Sequence, residues 1–402
     1  MKITFPVPEL QKRLGQLGAV VARKSPEPIY GHVRVFTDDK GIVCLQGIDV
    51  DSTFTNKLPG AKADGPANIL VEYQILNALV QSFKAPSATL AYATEQEAII
   101  SCGKFKGRLK GWPTEQFMAL PVVQGIAEKP ALGGYTFGLP GLKEQVEQVD
   151  FATPPADGKF VVASALIAST ADTLSVVGTD GVVIAVSSTP STIGEFSFTV
   201  PKPALELLKK LDGGTTVTIS DTEGLFFFET EIELFTYSKT HAEFPPYHRH
   251  IPKTGSFPTC FVAKDKTEFQ SALKQVKILC GGSEEKDAAP VDFAVAKDGT
   301  EVTLKAVYIA KVPTGDIYTD MADSSITVES SGVANKAKVD ANRLEPFIER
   351  AIFPVTIFIR DGASLLDMHA NGGTQDKPTY RFLMMAMRDE GGPSSTPLPQ
   401  ID

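Results

Sequence analysis

No apolar run in this 402-residue chain approaches the ~18 residues needed to cross a bilayer, so no helical membrane span is expected. The opening MKITFPVPEL lacks the apolar core of a signal peptide. Cysteine is scarce: Cys44, Cys102, Cys260 and Cys280 lie far apart with no CxxC pair. That argues against a disulfide frame or a zinc site and for reduced thiols in the cytoplasm. There is no GxSxG. None of the five histidines (His32, His241, His248, His250, His369) has an evident Ser or Cys partner by sequence, although a dispersed triad stays open. Gly281-Gly282 and Gly372-Gly373 match neither GxxxxGK(S/T) nor GxGxxG, so nucleotide phosphate binding is unsupported. A basic excess is missing too: 39 Lys and Arg face 48 Asp and Glu, a net charge of −9. This disfavours an all-over basic nucleic-acid binder but leaves room for a basic surface inside an acidic shell. No enzyme activity, cofactor or metal is expected.

What is present is a soluble globular composition, 43% hydrophobic and 22% charged, in a chain too long for one ordinary core. One pattern recurs three times. A short extended piece leads into an amphipathic helix: Lys2 to Phe5 into Glu9 to Ala22, Tyr135 to Leu139 into Leu142 to Phe151, and Cys260 to Ala263 into Thr267 to Cys280. Apolar residues such as Leu10, Leu14, Leu17 and Val21 fall at helical spacing on one stripe. Strands follow, and then a second helix entered directly from a strand: Ile69-Leu70-Val71 into Tyr73 to Phe83, Phe198-Thr199-Val200 into Pro201 to Leu211, and Ala337-Lys338-Val339 into Asp340 to Ala351. Asp340 reads as an N-cap, and the prolines of the second copy as a first turn. Further strands close each module. The expectation is three repeated α+β domains, at 1–125, 126–253 and 254–388. The tail from Asp389 (DEGGPSSTPLPQID) is polar and rich in Pro, Gly and Ser, and is expected to be disordered.

The stretch HAEFPPYHRHIP, His241 to Pro252, closes the second module. Its three prolines forbid a central strand, so it reads as a semi-rigid connector that also forms part of a surface cleft. His248 and His250, with His241, offer metal ligands on paper, but Arg249 would repel a cation and no Cys lies nearby. Basic residues recur on the helices. Lys12, Gln16 and Arg23 lie within ~40° of one another opposite the Leu stripe. Lys202, Lys209 and Lys210, then Lys274, Arg343 and Arg350, occupy the later helices. Singly each reads as a solvated face; recurrence in all three modules favours non-sequence-specific phosphate contact.

Several stretches resemble the bacterial β sliding clamp family. Gly178-Thr179-Asp180-Gly181 before Ile184-Ala185 is similar to ATDGHRLA, Phe244 to Pro252 to FPDYRRVIP, and Phe198 to Lys202 with Leu207-Leu208 to VPRK…LL. Phe382 to Arg388 is similar to YVIMPMRL, and Gly47 to Asp51 to ATDLE. The resemblance implies clamp-type domains, two helices packed on antiparallel sheets each, in a head-to-tail homodimeric ring around double-stranded DNA. It implies partners in a DNA polymerase and clamp-loader subunits. The partner cleft would comprise Val162, Thr179, Gly181, Ile184, Pro245, Arg249, Leu383, Met384, Met385, Ala386 and Met387. The DNA-facing residues would be Lys12, Arg23, Lys24, Phe160, Lys202, Lys209, Lys274 and Arg343. Departures are Val182-Val183 in place of His-Arg, Pro246 in place of Asp, Ala386 in place of Pro, and the residues after Arg388. The rival readings are a clamp-fold scaffold with altered partners and no general replicative role, and an unrelated three-module enzyme.

Overall fold

Each repeat begins with a strand that alternates buried and open side chains and then turns into a helix. In the first, Ile3 and Phe5 of the strand Lys2–Pro6 are buried, and Pro8 stands in the first turn of the helix Val7–Leu17. There its missing N–H costs nothing. Leu10, Leu14 and Leu17 form the buried stripe. The helix stops at Leu17, short of the expected Ala22. Gly18 follows, and a Cβ there would lie 2.5 Å from the Tyr73 hydroxyl. Tyr73 donates that hydroxyl to the Leu14 carbonyl at 3.0 Å, drawing the helices Val7–Leu17 and Tyr73–Gln81 together.

The same strand-to-helix step recurs as Tyr135–Gly138 into Leu139–Val149 and as Thr259–Ala263 into Lys266–Cys280. The second step recurs as Asn68–Glu72 into Tyr73–Gln81, Phe196–Pro201 into Lys202–Leu208, and Lys336–Asp340 into Ala341–Arg350. Asp340 caps the last helix, accepting from the Asn342 amide at 3.0 Å. The fold is α+β with this unit repeated three times. Two long stretches rich in strand-forming residues fold as hairpins. Leu225 to Tyr237 divides into Leu225–Glu229 and Glu233–Ser238, and Leu174 to Ser188 into Thr173–Thr179 and Val183–Pro190, the latter turning at Gly181 with φ +88°. The structure, a computed structural model, describes residues 1–21, 27–94, 96–129, 133–155, 163–239, 243–252, 257, 259–280, 289–296, 299–311, 317–332, 335–360, 365–370 and 379–386. The tail from Asp389 lies outside them.

The chain forms two compact units that cut across the thirds: Met1–Lys143 with Pro203–His241, and Glu144–Lys202 with Ala242–Asp402. The reason is strand pairing. In the first unit a 13-stranded antiparallel sheet runs from Tyr135–Gly138 through Thr216–Asp221, Leu225–Glu229 and Glu233–Ser238 to Ser52–Lys57. It continues through the strands of the first third to Lys62–Ala63. Phe235 pairs with Phe54 across the join, and Phe228 stacks on Phe235 at 4.4 Å between ring centres. In the second unit a 12-stranded sheet runs Phe196–Pro201, Ser164–Ser169, Thr173–Thr179, Val183–Pro190, Tyr380–Met385, Leu365–Ala370, Val355–Ile359 and Thr259–Ala263, then four further strands. Its inner face buries Phe382 against Phe347, stacked at 4.9 Å, and the Tyr380 hydroxyl donates to the Gln148 carbonyl at 2.6 Å.

Candidate functional site

The second unit assembles an apolar surface site from four strands and one connector. Side chains alternate along a strand, so every second residue shares a face. Val177 pairs with Val186, Ile184 with Leu383, and Leu166 with Val177. These five side chains form one cluster, against which Ala168, Phe244, Tyr247, Ile251 and Leu365 pack. The prolines of the connector hold Phe244 and Tyr247 over the sheet. The Pro245 carbonyl accepts from the Tyr247 amide at 2.7 Å, and a single 3₁₀ turn, Tyr247–His250, presents Tyr247 and Ile251 four residues apart. Burial pushes the Tyr247 phenol pKa up.

The tip of the hairpin is braced by polar contacts. Thr179 donates its hydroxyl to the Val183 carbonyl at 2.7 Å, and Gly181 donates its amide to the Thr179 oxygen at 3.2 Å. Asp180 accepts from the Val182 and Val183 amides, each at 2.9 Å, and pairs with Arg343. Farther along the same face a cavity of about 580 Å³ opens, walled by Val186, Tyr247 and Ile251, with Ser175, Ser188 and Arg381 among its polar residues. Asp367 holds Arg381 by two hydrogen bonds, at 2.8 and 2.5 Å. Burial alone would push the Asp367 carboxyl up; hydrogen bonds from His369 and Arg381 outweigh it and hold the carboxyl below its ordinary range.

Of the expected cleft residues, Thr179, Gly181, Ile184, Pro245 and Leu383 border this site. Arg249 stands exposed on the connector, and Met385 is half-buried. Met384 alternates to the opposite face and is fully buried, and Ala386 is buried at the strand's end. Val162 and Met387 lie outside the described residues. Leu166, Val177 and Val186 join the site without having been expected there, and within the connector expected at the cleft it is Tyr247 and Ile251 that pack on the cluster. The period-two step from Ile184 to Val186 and the four-residue step from Tyr247 to Ile251 were the signals available.

The expected cationic residues differ in how free they are. Lys274 is exposed. Lys12, about half exposed, pairs with Asp212 at 2.8 Å. Lys209 pairs with Glu206 at 2.9 Å, and Lys202 donates to the Asp150 and Thr153 carbonyls. Arg343 is shared between Asp180 and Asp340. Arg23, Lys24 and Phe160 lie outside the described residues. Among the described residues, no group of three or more His, Cys, Asp or Glu is placed to hold a metal ion, and no helix is long and apolar enough to cross a membrane.

Comparison with known proteins adds relatives to this geometry. No family model matches the chain. It is 23% identical over 335 residues to the beta sliding clamp of Synechocystis, covering 76% of this chain and 81% of that one. It is 22% identical over 325 residues to the beta sliding clamp of Chlamydia muridarum, covering 79% and 85%. Among solved structures it shares its fold with the beta subunit from DNA polymerase of Streptococcus pyogenes, with TM-score 0.83, 15% identity and 96% and 100% of the chains covered. It shares the fold equally with the Pseudomonas aeruginosa sliding clamp bound to griselimycin, with TM-score 0.81, 18% identity and 96% and 99% covered.

Proposed function

We propose that this chain is a divergent member of the β sliding clamp family and works as a DNA sliding clamp: a processivity factor without catalytic activity that encircles duplex DNA and tethers polymerases. The observation that carries the reading is the apolar site on the second unit's sheet. Thr179, Ile184 and Leu383 there lie beside a proline-fixed connector bearing Phe244, Tyr247 and Ile251. Such a face takes apolar side chains of a partner peptide, and the half-buried Met385 at its edge adapts to more than one of them.

In this reading the clamp domains span 1–125, 126–253 and 254–388, and two chains close a ring in which the first domain of one meets the third of its partner. Two exposed apolar side chains suit that contact, Phe105 in the first domain and Ile278 in the third, at 42% and 69% exposure. Lys12, Lys202, Lys209, Lys274 and Arg343 face the DNA. Surface ion pairs are worth only about 0–1 kcal/mol, so Lys12 and Lys209 can exchange a carboxylate for a phosphate at little cost. A ring holds DNA by topology, so weak, screened contacts suffice. Clamp-loader subunits and a cytoplasmic location belong to the same reading.

The test is fluorescence anisotropy of a labelled pentapeptide of the Gln-Leu-x-Leu-Phe type, titrated with the chain and with Ile184→Asp and Leu383→Asp. Micromolar binding lost in both variants is expected; no saturable binding to a folded dimer would overturn the recruitment mechanism. A second reading, a clamp-fold scaffold with altered partners, is favoured by one observation: Lys202, Lys209 and Arg343 are each engaged within the chain. Charge reversal of Lys12 and Lys274 separates the two, since a true clamp loses loading on DNA and a scaffold does not.

A further inference from the structure

The cavity beside the apolar cluster has a lining of its own. Its walls are Val186, Tyr247 and Ile251, and its polar lining includes Ser175, Ser188 and Arg381. The two serine hydroxyls hydrogen-bond each other at 2.9 Å. Arg381 spends Nε and Nη2 on Asp367, so its charge is matched; among the described residues no acceptor is recorded for its Nη1 or for the Tyr247 hydroxyl. Asp172 adds a carboxylate to the lining. A site of this kind disfavours an anion. It favours a neutral, carbonyl-rich segment with apolar bulk, because it offers hydrogen-bond donors beside an aromatic and aliphatic wall.

The chain carries such a segment. After the acidic pair Asp389-Glu390 it reads GGPSSTPLP, Gly391 to Pro399, without a charge and with three prolines and one leucine. Proline-rich sequence favours the polyproline II helix, which loses little entropy on docking, leaves its carbonyls free to accept, and binds grooves lined by aromatic residues. The reach is sufficient. Strand Tyr380–Met385 starts at the cavity and rises about 3.3 Å per residue, so Ala386 stands roughly 17 Å beyond Arg381. Residues 387–397 at ~3.1 Å each could extend roughly 34 Å, and Gly391-Gly392 permits the reversal.

We infer that Pro393–Pro399 of the chain docks in the cavity formed by Ser175, Val186, Ser188, Tyr247, Ile251 and Arg381, as an internal occupant next to the proposed partner site. The docking does not depend on the clamp reading. Its consequence does: a docked segment lies along the face that a partner peptide must enter, and competes with it.

The experiment uses a fluorescein-labelled peptide of residues 389–402, titrated with the full chain and with a chain ending at Arg388. An intramolecular segment acts at an effective concentration of about 1 mM. With a Kd of ~50 µM for the shortened chain, the full chain should bind the peptide about 20-fold more weakly. Tyr247→Ala and Ser175→Trp should each abolish binding to the shortened chain, with thermal melting as the fold control. Leu398→Asp in the peptide should do the same with the protein untouched. Equal affinity for both chains, no saturation by ~1 mM, or indifference to Leu398→Asp overturns the inference. So does capture of the Gln-Leu-x-Leu-Phe peptide in the cavity, read as its sensitivity to Ser175→Trp while the 389–402 peptide fails to bind. Loss of Gln-Leu-x-Leu-Phe binding alone would count against the partner site and leave the docking standing.

Discussion

Arg13→Met should be among the most damaging single substitutions in the first unit. Arg13 is 3% exposed, and its guanidinium donates to Glu9 at 2.6 Å, Gln16 at 3.0 Å, Asp212 at 2.7 Å and Glu233 at 2.8 Å. Glu233 is itself fully buried and also accepts from the Gln16 side chain and from the Asp212 and Gly213 amides. Methionine keeps the apolar stem but leaves Glu233 beside Asp212 with no cation between them. Removing one partner of a buried pair costs about 3–5 kcal/mol, because the other charge stays behind. At about 2–4 °C per kcal/mol, the unit's calorimetric transition should fall by about 6–20 °C. Lys264→Met, which breaks an exposed pair with Glu329, serves as the control and should cost no more than about 1 kcal/mol. The pH dependence gives a second readout. Burial, aided by the like charge of Asp212, already pushes the Glu233 carboxyl up, and losing Arg13 pushes it further. A carboxyl whose folded value is raised favours the folded state at low pH and loses that contribution as pH rises. The deficit of Arg13→Met should therefore shrink as pH falls. A midpoint no lower than that of Lys264→Met, or a deficit that grows toward acid, would refute the reasoning.

Three further outcomes follow from the same structure. The Asp367 carboxyl is held below its ordinary 3.8, so its contribution is present above that pH and lost as pH falls; Asp367→Asn should cost about 3–5 kcal/mol at neutral pH by urea unfolding, with the gap to the parent narrowing in acid. Gly178→Ala would place a Cβ 2.5 Å from the Val149 carbonyl and should destabilise by about 1–3 kcal/mol, whereas Gly15→Ala meets nothing within 4 Å and should stabilise by about 0.5–1 kcal/mol, both read by denaturant midpoints. Burial pushes the Cys44 thiol up to about 11, so iodoacetamide at pH 8 should leave it unlabelled by mass spectrometry until the chain is unfolded.

The threefold strand-to-helix order was legible because its signals are local: Pro8 and Pro203 in first turns, Asp340 at a cap, and apolar stripes at helical spacing. Phe244 to Pro252 was legible as a connector because three of its residues are proline. What escaped is what depends on partners distant in sequence. Arg13 flanks the leucine stripe, three residues after Leu10 and four before Leu17, but nothing local shows what would match its buried charge: Glu233 arrives from 220 residues away. The strand pairings Glu233–Ser238 with Ser52–Lys57 and Val183–Pro190 with Tyr380–Met385 carry no local mark, so the compact units differ from the repeats. Met384 and Leu383 read alike because Tyr380–Met385 is buried on both faces; only its register separates the residue under the sheet from the residue at the site.

The pairing of Val183–Pro190 with Tyr380–Met385 also sets a clock on the ribosome. Roughly 190 residues separate the two strands, and at ~5–20 residues per second the first waits about 10–40 s for its neighbour. Through that interval its backbone edge is bare and Ile184 and Val186 lack the cover that Leu383 later supplies. An unpaired edge beside an apolar face is a template for the wrong strand. The nascent chain is therefore most exposed to misassembly at the very strands that later form its candidate binding site, and chain-end truncations before Tyr380 should aggregate rather than fold.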